Sequence, residues 1–251
     1  MVVACTALAI VVGIVGSVIW LNAPAPSCQD TRRNQGEEEV DCGGPCAPCA
    51  FHHQKAIEVI WSRFVKVREN SYDVAAELYN PNSQLGAASF RYEFKLFDVA
   101  GVLVVSRVGR SFIYPRETAH LTEIGLLSGR SVARVALEIE RPEWVLSESL
   151  RPDIIAGNRS HRVVTEDGIS RSVVEAIVTN RAVGDMRDIV IGVLLLDASG
   201  NLLGAHRTVI DFLASGASEP LKLVWPAVVA EAVPSLVVEV RSAADLIGGI
   251  R

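Results

Sequence analysis

The feature that most constrains the fold is a pattern that occurs twice, about a hundred residues apart. Residues 92–101 and 191–200 are each an alternating or wholly apolar run that ends in Asp-x-x-Gly, which is typical of a strand leading into a tight turn. An Asn precedes this Asp by 18 residues in the first copy and by 17 in the second. Such a period has the length of a domain rather than of a solenoid repeat. The sequence therefore predicts two tandem domains of one fold.

The repeated Asp, Asn and Gly residues have a structural explanation. An Asp that begins an Asp-x-x-Gly hairpin turn accepts hydrogen bonds from nearby backbone N–H groups, and an Asn at a strand end bonds to backbone in the same way. We therefore interpret the two Asp residues as turn residues and not as a catalytic pair. The predicted structural turn positions are Asn80, Asp98, Gly101, Asn180, Asp197 and Gly200.

The rest of residues 57–242 has the pattern of short strands. Apolar runs recur at roughly ten-residue spacing without a helical period between them, which predicts an all-β protein of two tandem immunoglobulin-like β-sandwiches. We expect about seven strands in the first domain, with an interruption at residues 62–63 and another near Gly109. Residues 190–196 are apolar on both faces, as expected of a central strand that is covered on both sides.

The N-terminus carries a different signal. Residues 2–21 contain no charged residue, and roughly twenty helical residues at ~1.5 Å each cover the ~30 Å hydrocarbon core of a bilayer. A buried helix of a soluble protein is the alternative, but the run has no polar face. No basic n-region precedes it, and Pro26 directly follows the small-x-small sequence at residues 23–25. We therefore predict an uncleaved transmembrane anchor at residues 1–22.

A Pro-containing spacer and a cysteine-rich stretch follow at residues 23–50. Closely spaced cysteines in a Gly- and Pro-rich stretch with few apolar residues predict a small knot held by two disulfides, in any of three pairings. The cysteines are Cys28, Cys42, Cys46 and Cys49. A four-thiolate zinc site is the alternative, but Cys28 and Cys42 do not have the spacing of a ligand pair. Disulfides indicate an extracytoplasmic location, although Arg32 and Arg33 weakly favour the opposite orientation.

The same stretch offers oxygen atoms that calcium accepts as ligands. They belong to Asp30, Asn34, Glu37 and Asp41, whose spacing is not that of an EF-hand loop. We interpret these residues as a solvated acidic turn and predict no metal site.

No catalytic constellation is evident in the sequence. It lacks the nucleophile-elbow, zinc-protease and glycine-rich phosphate-binding motifs, so we predict no cofactor and no enzymatic activity. His120, His161 and His206 are isolated in the sequence, and we expect them at the surface. A hydrolase would need one of them beside a carboxylate and a nucleophile between the domains. A net charge of −5 without a basic, aromatic-interleaved stripe disfavours nucleic acid binding.

Two stretches resemble known motifs. Residues 94–101, Phe-Lys-Leu-Phe-Asp-Val-Ala-Gly, resemble the pattern that names the FxLYD domain, with Phe97 in the place of Tyr. The second copy, at residues 193–200, lacks both aromatic residues. Residues 34–49 resemble a short cysteine motif of extracytoplasmic bacterial proteins. The domain resemblance, which is shared with the sandwiches of type-2 late-embryogenesis proteins, implies a β-sandwich and an extracytoplasmic binding or scaffolding role without shared catalytic residues.

These observations predict four segments. They are an anchor at residues 1–22, the spacer and disulfide motif at 23–50, a first sandwich at 51–146 and a second at 147–251. We predict a non-enzymatic binding or scaffolding protein of the cell envelope, anchored by a single pass with its C-terminal domains outside the cytoplasm. Its expected partners are the membrane and another envelope protein. The alternative is a calcium- or redox-responsive sensor or accessory subunit that acts through the cysteine-rich stretch.

Overall fold

The computed structural model describes residues 27–147, 151–230 and 232–247. The chain divides into two compact units, Met1–His53 and Gln54–Arg251. Within the described ranges no helix is long and apolar enough to cross a membrane. The predicted anchor at residues 1–22 lies outside them.

The described part of the first unit is held by covalent cross-links rather than by regular secondary structure. Disulfides join Cys28 to Cys46 and Cys42 to Cys49, which selects one of the three possible pairings. A single 3-10 turn, Cys49–Phe51, follows. Gly44 has a φ of 57°, and a Cβ added to it would lie too close to the Gly36 carbonyl oxygen, so a side chain there would clash. A stretch this poor in apolar residues depends on such staples to keep one conformation.

The second unit begins with six strands that form two three-stranded antiparallel sheets, β1-β2-β5 and β4-β3-β6. The prediction of about seven strands was wrong, because the two expected interruptions do not exist. β1 runs through residues 62–63, which pair with Ala76 and Ala75 of β2. β4 runs through Gly109, which pairs with Tyr92 and leaves room for its ring. The strands are β1 (Glu58–Arg68), β2 (Ser71–Tyr79), β3 (Leu85–Phe97), β4 (Leu103–Ile113), β5 (Thr118–Leu127) and β6 (Arg134–Leu146).

Six further strands repeat this arrangement in the same order. Their sheets are β7-β8-β11 and β10-β9-β12, so each strand corresponds to the one six positions earlier. A short helix, α1 (Ala244–Ile247), follows. The prediction of two tandem β domains of one topology is confirmed. The strands are β7 (Ile154–Glu166), β8 (Ile169–Asn180), β9 (Met186–Leu196), β10 (Leu202–Leu213), β11 (Ser218–Val224) and β12 (Ser235–Arg241).

Each half has its own hydrophobic core between its two sheets. Alternate residues of β2 and β3 fill the first core, and alternate residues of β8 and β9 fill the second. Aromatic rings contribute much of the first core, including Phe90 and Phe94, whereas aliphatic side chains such as Ile191 and Val193 dominate the second. This alternation is what a half-buried strand requires, since successive side chains point to opposite faces.

A third apolar cluster joins the two halves. Ala75 of β2 packs with Leu194 of β9 and with Leu202 and Ala205 of β10, and Trp61 and Val65 of β1 border them. The outer face of sheet β1-β2-β5 therefore lies against the outer face of sheet β10-β9-β12. As a result, β2 and β9 are buried on both faces. The apolar character of residues 190–196 predicted this for β9.

We expect Leu194→Ala to destabilise the whole second unit, because Leu194 is fully buried where the halves meet. Loss of a buried leucine side chain together with an unfilled cavity costs about 2–5 kcal/mol of unfolding free energy. Urea denaturation followed by circular dichroism measures this loss. The matched control is Val183→Ala, since the Val183 side chain is fully exposed. A loss for Leu194→Ala no larger than that of the control would contradict the packing of the two halves.

Candidate functional site

The two Asp-x-x-Gly sequences form the same hairpin turn. The Asp98 carboxylate accepts hydrogen bonds from the backbone N–H groups of residues 100 and 102, at 3.0 and 2.9 Å. The Asp197 carboxylate does the same with residues 199 and 201, both at 2.8 Å. Gly101 and Gly200 have φ values of 77° and 78°, the left-handed conformation that glycine adopts without strain. Bonds from Asn201 are the main cause that lowers the pKa of Asp197.

The two repeated asparagines are fully buried and tie loops together. Asn80 Nδ2 donates to the backbone oxygens of Leu85 and Tyr114, at 2.8 and 2.9 Å. Asn180 Nδ2 donates to those of Gly184 and Leu213, at 2.9 and 3.0 Å. In both copies the side-chain oxygen accepts a hydrogen bond from the backbone N–H of the residue two positions later in the chain. These contacts are those of structural residues, because they satisfy buried backbone groups.

In the N-terminal unit, disulfides occupy the sulfur atoms that a zinc site would need. The four cysteines within residues 27–53 are bonded in pairs, so none of these four is a thiolate, which is the form that binds zinc. Two groups, each of two cysteines and one Glu, are close enough together to hold an ion geometrically. Each group contains the two cysteines of one disulfide, and zinc binding would require its reduction.

The acidic side chains of this unit accept backbone hydrogen bonds. Asp41 accepts from the N–H groups of Asp30 and Thr31 at 2.9 and 3.0 Å, and Glu37 accepts from those of Asn34 and Asp41 at 3.2 and 3.3 Å. Asn34 also donates to Asp30 at 2.7 Å and is the main cause that lowers the pKa of that carboxyl. The carboxylates therefore shape the loop.

A group of buried and partly buried ionisable residues lies between the two halves of the second unit. His120 of β5 contacts Glu239 of β12, with 2.7 Å between Nδ1 and the carboxylate, and its backbone N–H donates to the same oxygen at 2.8 Å. The other ring nitrogen lies 3.3 Å from the carboxylate of Glu77 in β2. Trp61 Nε1 donates to this Glu77 oxygen at 3.1 Å. The imidazole is thus clamped between one carboxylate from each half.

A second ion pair connects the halves beside the first. Arg241 of β12 donates from two guanidinium nitrogens to Glu117, which directly precedes β5, both at 3.1 Å. The guanidinium also donates to the backbone oxygen of Phe112 and lies over the Phe112 ring, 4.5 Å from its centroid. The side chains of Arg241 and Glu117 are only 5% and 6% exposed. Since removal of one partner would leave a buried charge unpaired, the position of each half is specified by the other.

The two carboxylates decide the charge state of His120. Burial lowers its pKa, but the hydrogen bond to Glu239 and the charges of Glu239 and Glu77 outweigh this, so the pKa of His120 is raised. Burial raises the pKa of Glu239, but its bond to His120 and the charge of Arg241 outweigh this, so the pKa of Glu239 is lowered. Both shifts favour the ionised pair.

The expectation that the three isolated histidines lie at the surface was wrong for His120 and His206. The His120 side chain is 16% exposed, and His206 is half-buried against Trp225, with ring centroids 5.5 Å apart. The third, His161, is partly buried beside Ser172, with 3.0 Å between Nε2 and Oγ. Burial lowers the pKa of His161 and of His206. In the contacts of the described residues, His120 has carboxylates without a hydroxyl nucleophile, and His161 has a hydroxyl without a carboxylate.

Glu117, Glu239 and Arg241 were not identified from the sequence. Their partners are up to 129 residues away, so local spacing gives no sign of the pairing. One feature of the sequence could have indicated them. Glu239 and Arg241 are two residues apart, and therefore on one face of the strand, at the end of a β12 that is otherwise apolar except for Ser235. A polar cluster between the halves was what the hydrolase alternative required, and this one is composed of ion pairs.

Comparison with known proteins identifies no family. No family profile matches the chain, and no curated protein matches it. Among solved structures, the chain is similar to the N-terminal CBM22-1-CBM22-2 tandem domain from Paenibacillus barcinonensis Xyn10C. The identity is 10%, covering 75% of this chain and 84% of that one, with a TM-score of 0.15. A TM-score this low carries no argument about fold or function, and the FxLYD resemblance stays a prediction.

We expect the stabilising effect of His120 to decrease as pH rises. A histidine whose pKa is raised by folding contributes its full stability below the unfolded value, about 6.5, and loses it as pH rises through the folded value. The difference in unfolding free energy between the wild type and His120→Gln should therefore shrink above about pH 6.5. Urea denaturation at a series of pH values measures it.

The sign control for this experiment is His206→Gln. Burial lowers the pKa of His206, so its contribution is lost as pH falls and the difference from wild type should grow with pH up to about 6.5. If the His120→Gln difference is constant or grows above that pH, the proposed charge state of His120 is wrong.

Proposed function

We propose that the protein is a non-enzymatic binding or scaffolding protein of the cell envelope, anchored at its N-terminus with both sandwich halves outside the cytoplasm. The halves serve as one body that presents loops to an envelope partner. The observation that carries this proposal is that the buried ionisable side chains between the halves bond to one another and to backbone, although Glu239 Oε1 has an ion-pair contact with Arg241 at 3.5 Å and no hydrogen bond among the described residues. They support architecture and leave recognition to the surface.

The extracytoplasmic location is supported by the two disulfides. Cystine cross-links persist in oxidising compartments and are rare in the cytosol, where thiols are kept reduced. A segment of the size of residues 27–53 with so few apolar residues would lose its main constraint if both were reduced. The anchor itself rests on the uncharged run at residues 2–21.

The proposed absence of catalysis is supported by the partners of His120 and His161, the described histidines of the second unit that contact polar side chains. Both ring nitrogens of His120 are engaged by carboxylates, so neither is available to accept a proton from a substrate. The hydroxyl of Ser172 accepts the backbone N–H of Val229 at 3.0 Å, and the residue is fully buried. A nucleophile must reach its substrate, which this serine does not.

The FxLYD-like and immunoglobulin-like assignment is part of this proposal. Its support is the pairing of a buried Asn with an Asp-x-x-Gly hairpin in each half, at the same place in the same strand order. The family resemblance then adds the expectation of a binding or scaffolding role.

Photo-crosslinking in native membranes tests the proposal. A photoreactive residue replaces Val99 in the β3–β4 turn, Val183 in the β8–β9 loop or Leu127 at the end of β5, which are 94%, 100% and 73% exposed. We expect at least one position to give a discrete adduct that disappears when excess unlabelled protein is added, because a specific partner site is saturable. The matched control is the same labelled protein without irradiation, which should give no intermolecular adduct.

The outcomes separate the candidate functions. An adduct that persists after reduction and after chelation of calcium supports scaffolding. An adduct that appears or disappears with either treatment supports the alternative, a sensor or accessory subunit that acts through the cysteine-rich stretch. If none of the three positions gives a saturable adduct, the scaffolding proposal fails.

A further inference from the structure

A buried carboxylate lies beside one of the two disulfides of the N-terminal unit. Glu37 is 4% exposed, and its Oε1 atom is 3.2 Å from the Cys46 sulfur. A Glu37 oxygen and the sulfurs of Cys28 and Cys46 all lie within 4.8 Å of one another. At such separations a fixed charge acts strongly on any charge that develops at either sulfur.

The two oxygens of Glu37 have different surroundings. Oε2 accepts hydrogen bonds from the backbone N–H groups of Asn34 and Asp41, at 3.2 and 3.3 Å, which hold the side chain in place. Oε1 faces the Cys46 sulfur and accepts one hydrogen bond among the described residues, from the Gln35 amide at 3.4 Å. The backbone of the loop therefore directs a carboxylate oxygen at the disulfide.

The charge of this carboxylate is not neutralised by a cation. Among the described residues, no Lys, Arg or His side chain forms an ion pair with Glu37, and Arg33 donates to its backbone oxygen, at 3.2 Å. The Gln35 amide also lies 3.5 Å from the Cys46 sulfur, but it carries no net charge. A negative potential therefore remains at the disulfide.

The second disulfide, Cys42–Cys49, has a different environment. Its neighbouring carboxylate belongs to Glu39, whose side chain is 58% exposed and pairs with His53 at 2.7 Å. Solvent and this partner weaken the effect of the Glu39 charge. Cys42 is fully buried, so access limits attack at that sulfur more than charge does. The electrostatic argument therefore concerns the first disulfide.

Reduction by a thiol would place negative charge at the sulfurs of Cys28 and Cys46. A thiolate attacks one sulfur and forms a mixed disulfide with it, and the other sulfur leaves as a thiolate with the electron pair of the broken bond. A second thiol of the reductant resolves the mixed disulfide, so the reductant is oxidised to a disulfide and both cysteines become thiols. Attack at exposed Cys28 releases the Cys46 thiolate beside Glu37. Attack at Cys46 brings the incoming thiolate to the same place.

We propose that Glu37 protects the Cys28–Cys46 disulfide against reduction by thiols, because its charge opposes both the incoming and the leaving thiolate. The consequence is a cross-link that persists when a small thiol reaches the protein. The pair then serves as a structural staple, and a redox-responsive sensor would have to act through other residues. The proposal concerns this disulfide alone and does not rest on the scaffolding proposal.

Reduction kinetics of the full chain in uncharged detergent micelles test the proposal, with dithiothreitol as the thiol. Samples are quenched with iodoacetamide, and mass spectrometry locates the alkylated cysteines. Glu37→Gln removes the charge and keeps one oxygen for the two backbone N–H groups. We expect the Cys28–Cys46 disulfide to be reduced about tenfold faster in this variant, because repulsion between charges about 4 Å apart is worth at least that factor near a protein surface.

The matched control is Glu38→Gln, which makes the same charge change at the adjacent exposed residue. Its side chain has no contact with a sulfur among the described residues and lies instead beside Gly43. We expect this variant to be reduced at nearly the rate of the wild type. If Glu37→Gln is reduced no faster than Glu38→Gln, the proposal is wrong.

A second measurement remains decisive even if Glu37→Gln does not form the disulfide. The wild type is reduced with cysteamine, whose thiolate carries an ammonium group, and with 3-mercaptopropionate, whose thiolate carries a carboxylate, at equal thiolate concentrations. We expect cysteamine to react faster with the Cys28–Cys46 disulfide, and the ratio of the two rates to be smaller in Glu37→Gln than in Glu38→Gln. Equal rates with the two thiols in the wild type would overturn the proposal.

Discussion

The burial of one sheet face from each half against the other is the constraint on which the rest of the second unit depends. Leu194 lies fully buried at its centre, and β2 and β9 are consequently covered on both sides. Charges that sit at the edge of this contact cannot be hydrated, so they must be paired across it. The bidentate contact of Arg241 with Glu117 and the clamp on His120 are these pairs. Apolar packing and ion pairing thereby fix the same relative position of the halves.

The sequence predicts well the contacts that residues make with their near neighbours in the chain. Asp197 and Gly200 bond within four residues, so spacing alone revealed their turn, although the Gly200 oxygen also accepts a long-range hydrogen bond from Arg63 of the other half. Asn180 bonds to Gly184 nearby and also to Leu213, 33 residues away. What it does not predict depends on tertiary contacts. Gly109 was expected to divide a strand, but the ring of Tyr92 on β3 needs the space that a side chain would fill. The partners of Arg241 lie more than a hundred residues away and leave no periodic signal.

The two halves share a topology, but they differ in the residue that holds the loop between their sheets. In the first, Tyr72 fills the core and anchors the loop after β5; in the second, Ser172 anchors the equivalent loop and Trp225 closes the space beside it. A fold that is specified by strand order and turns tolerates such exchanges, because the backbone bond to the loop is kept. One side-chain hydroxyl holds the loop in each half, although the two side chains differ in volume.

The central claim is that the two sandwich halves are one cooperative body. Native-state hydrogen exchange of the full chain at increasing denaturant tests it most directly, with the amides of β2 and β8 as reporters of the two separate cores. The account predicts that the most protected amides of both strands exchange through one global opening, with the same free energy and the same denaturant dependence. A lower opening free energy with a smaller slope for one strand alone would show that its half unfolds independently, and would contradict the account.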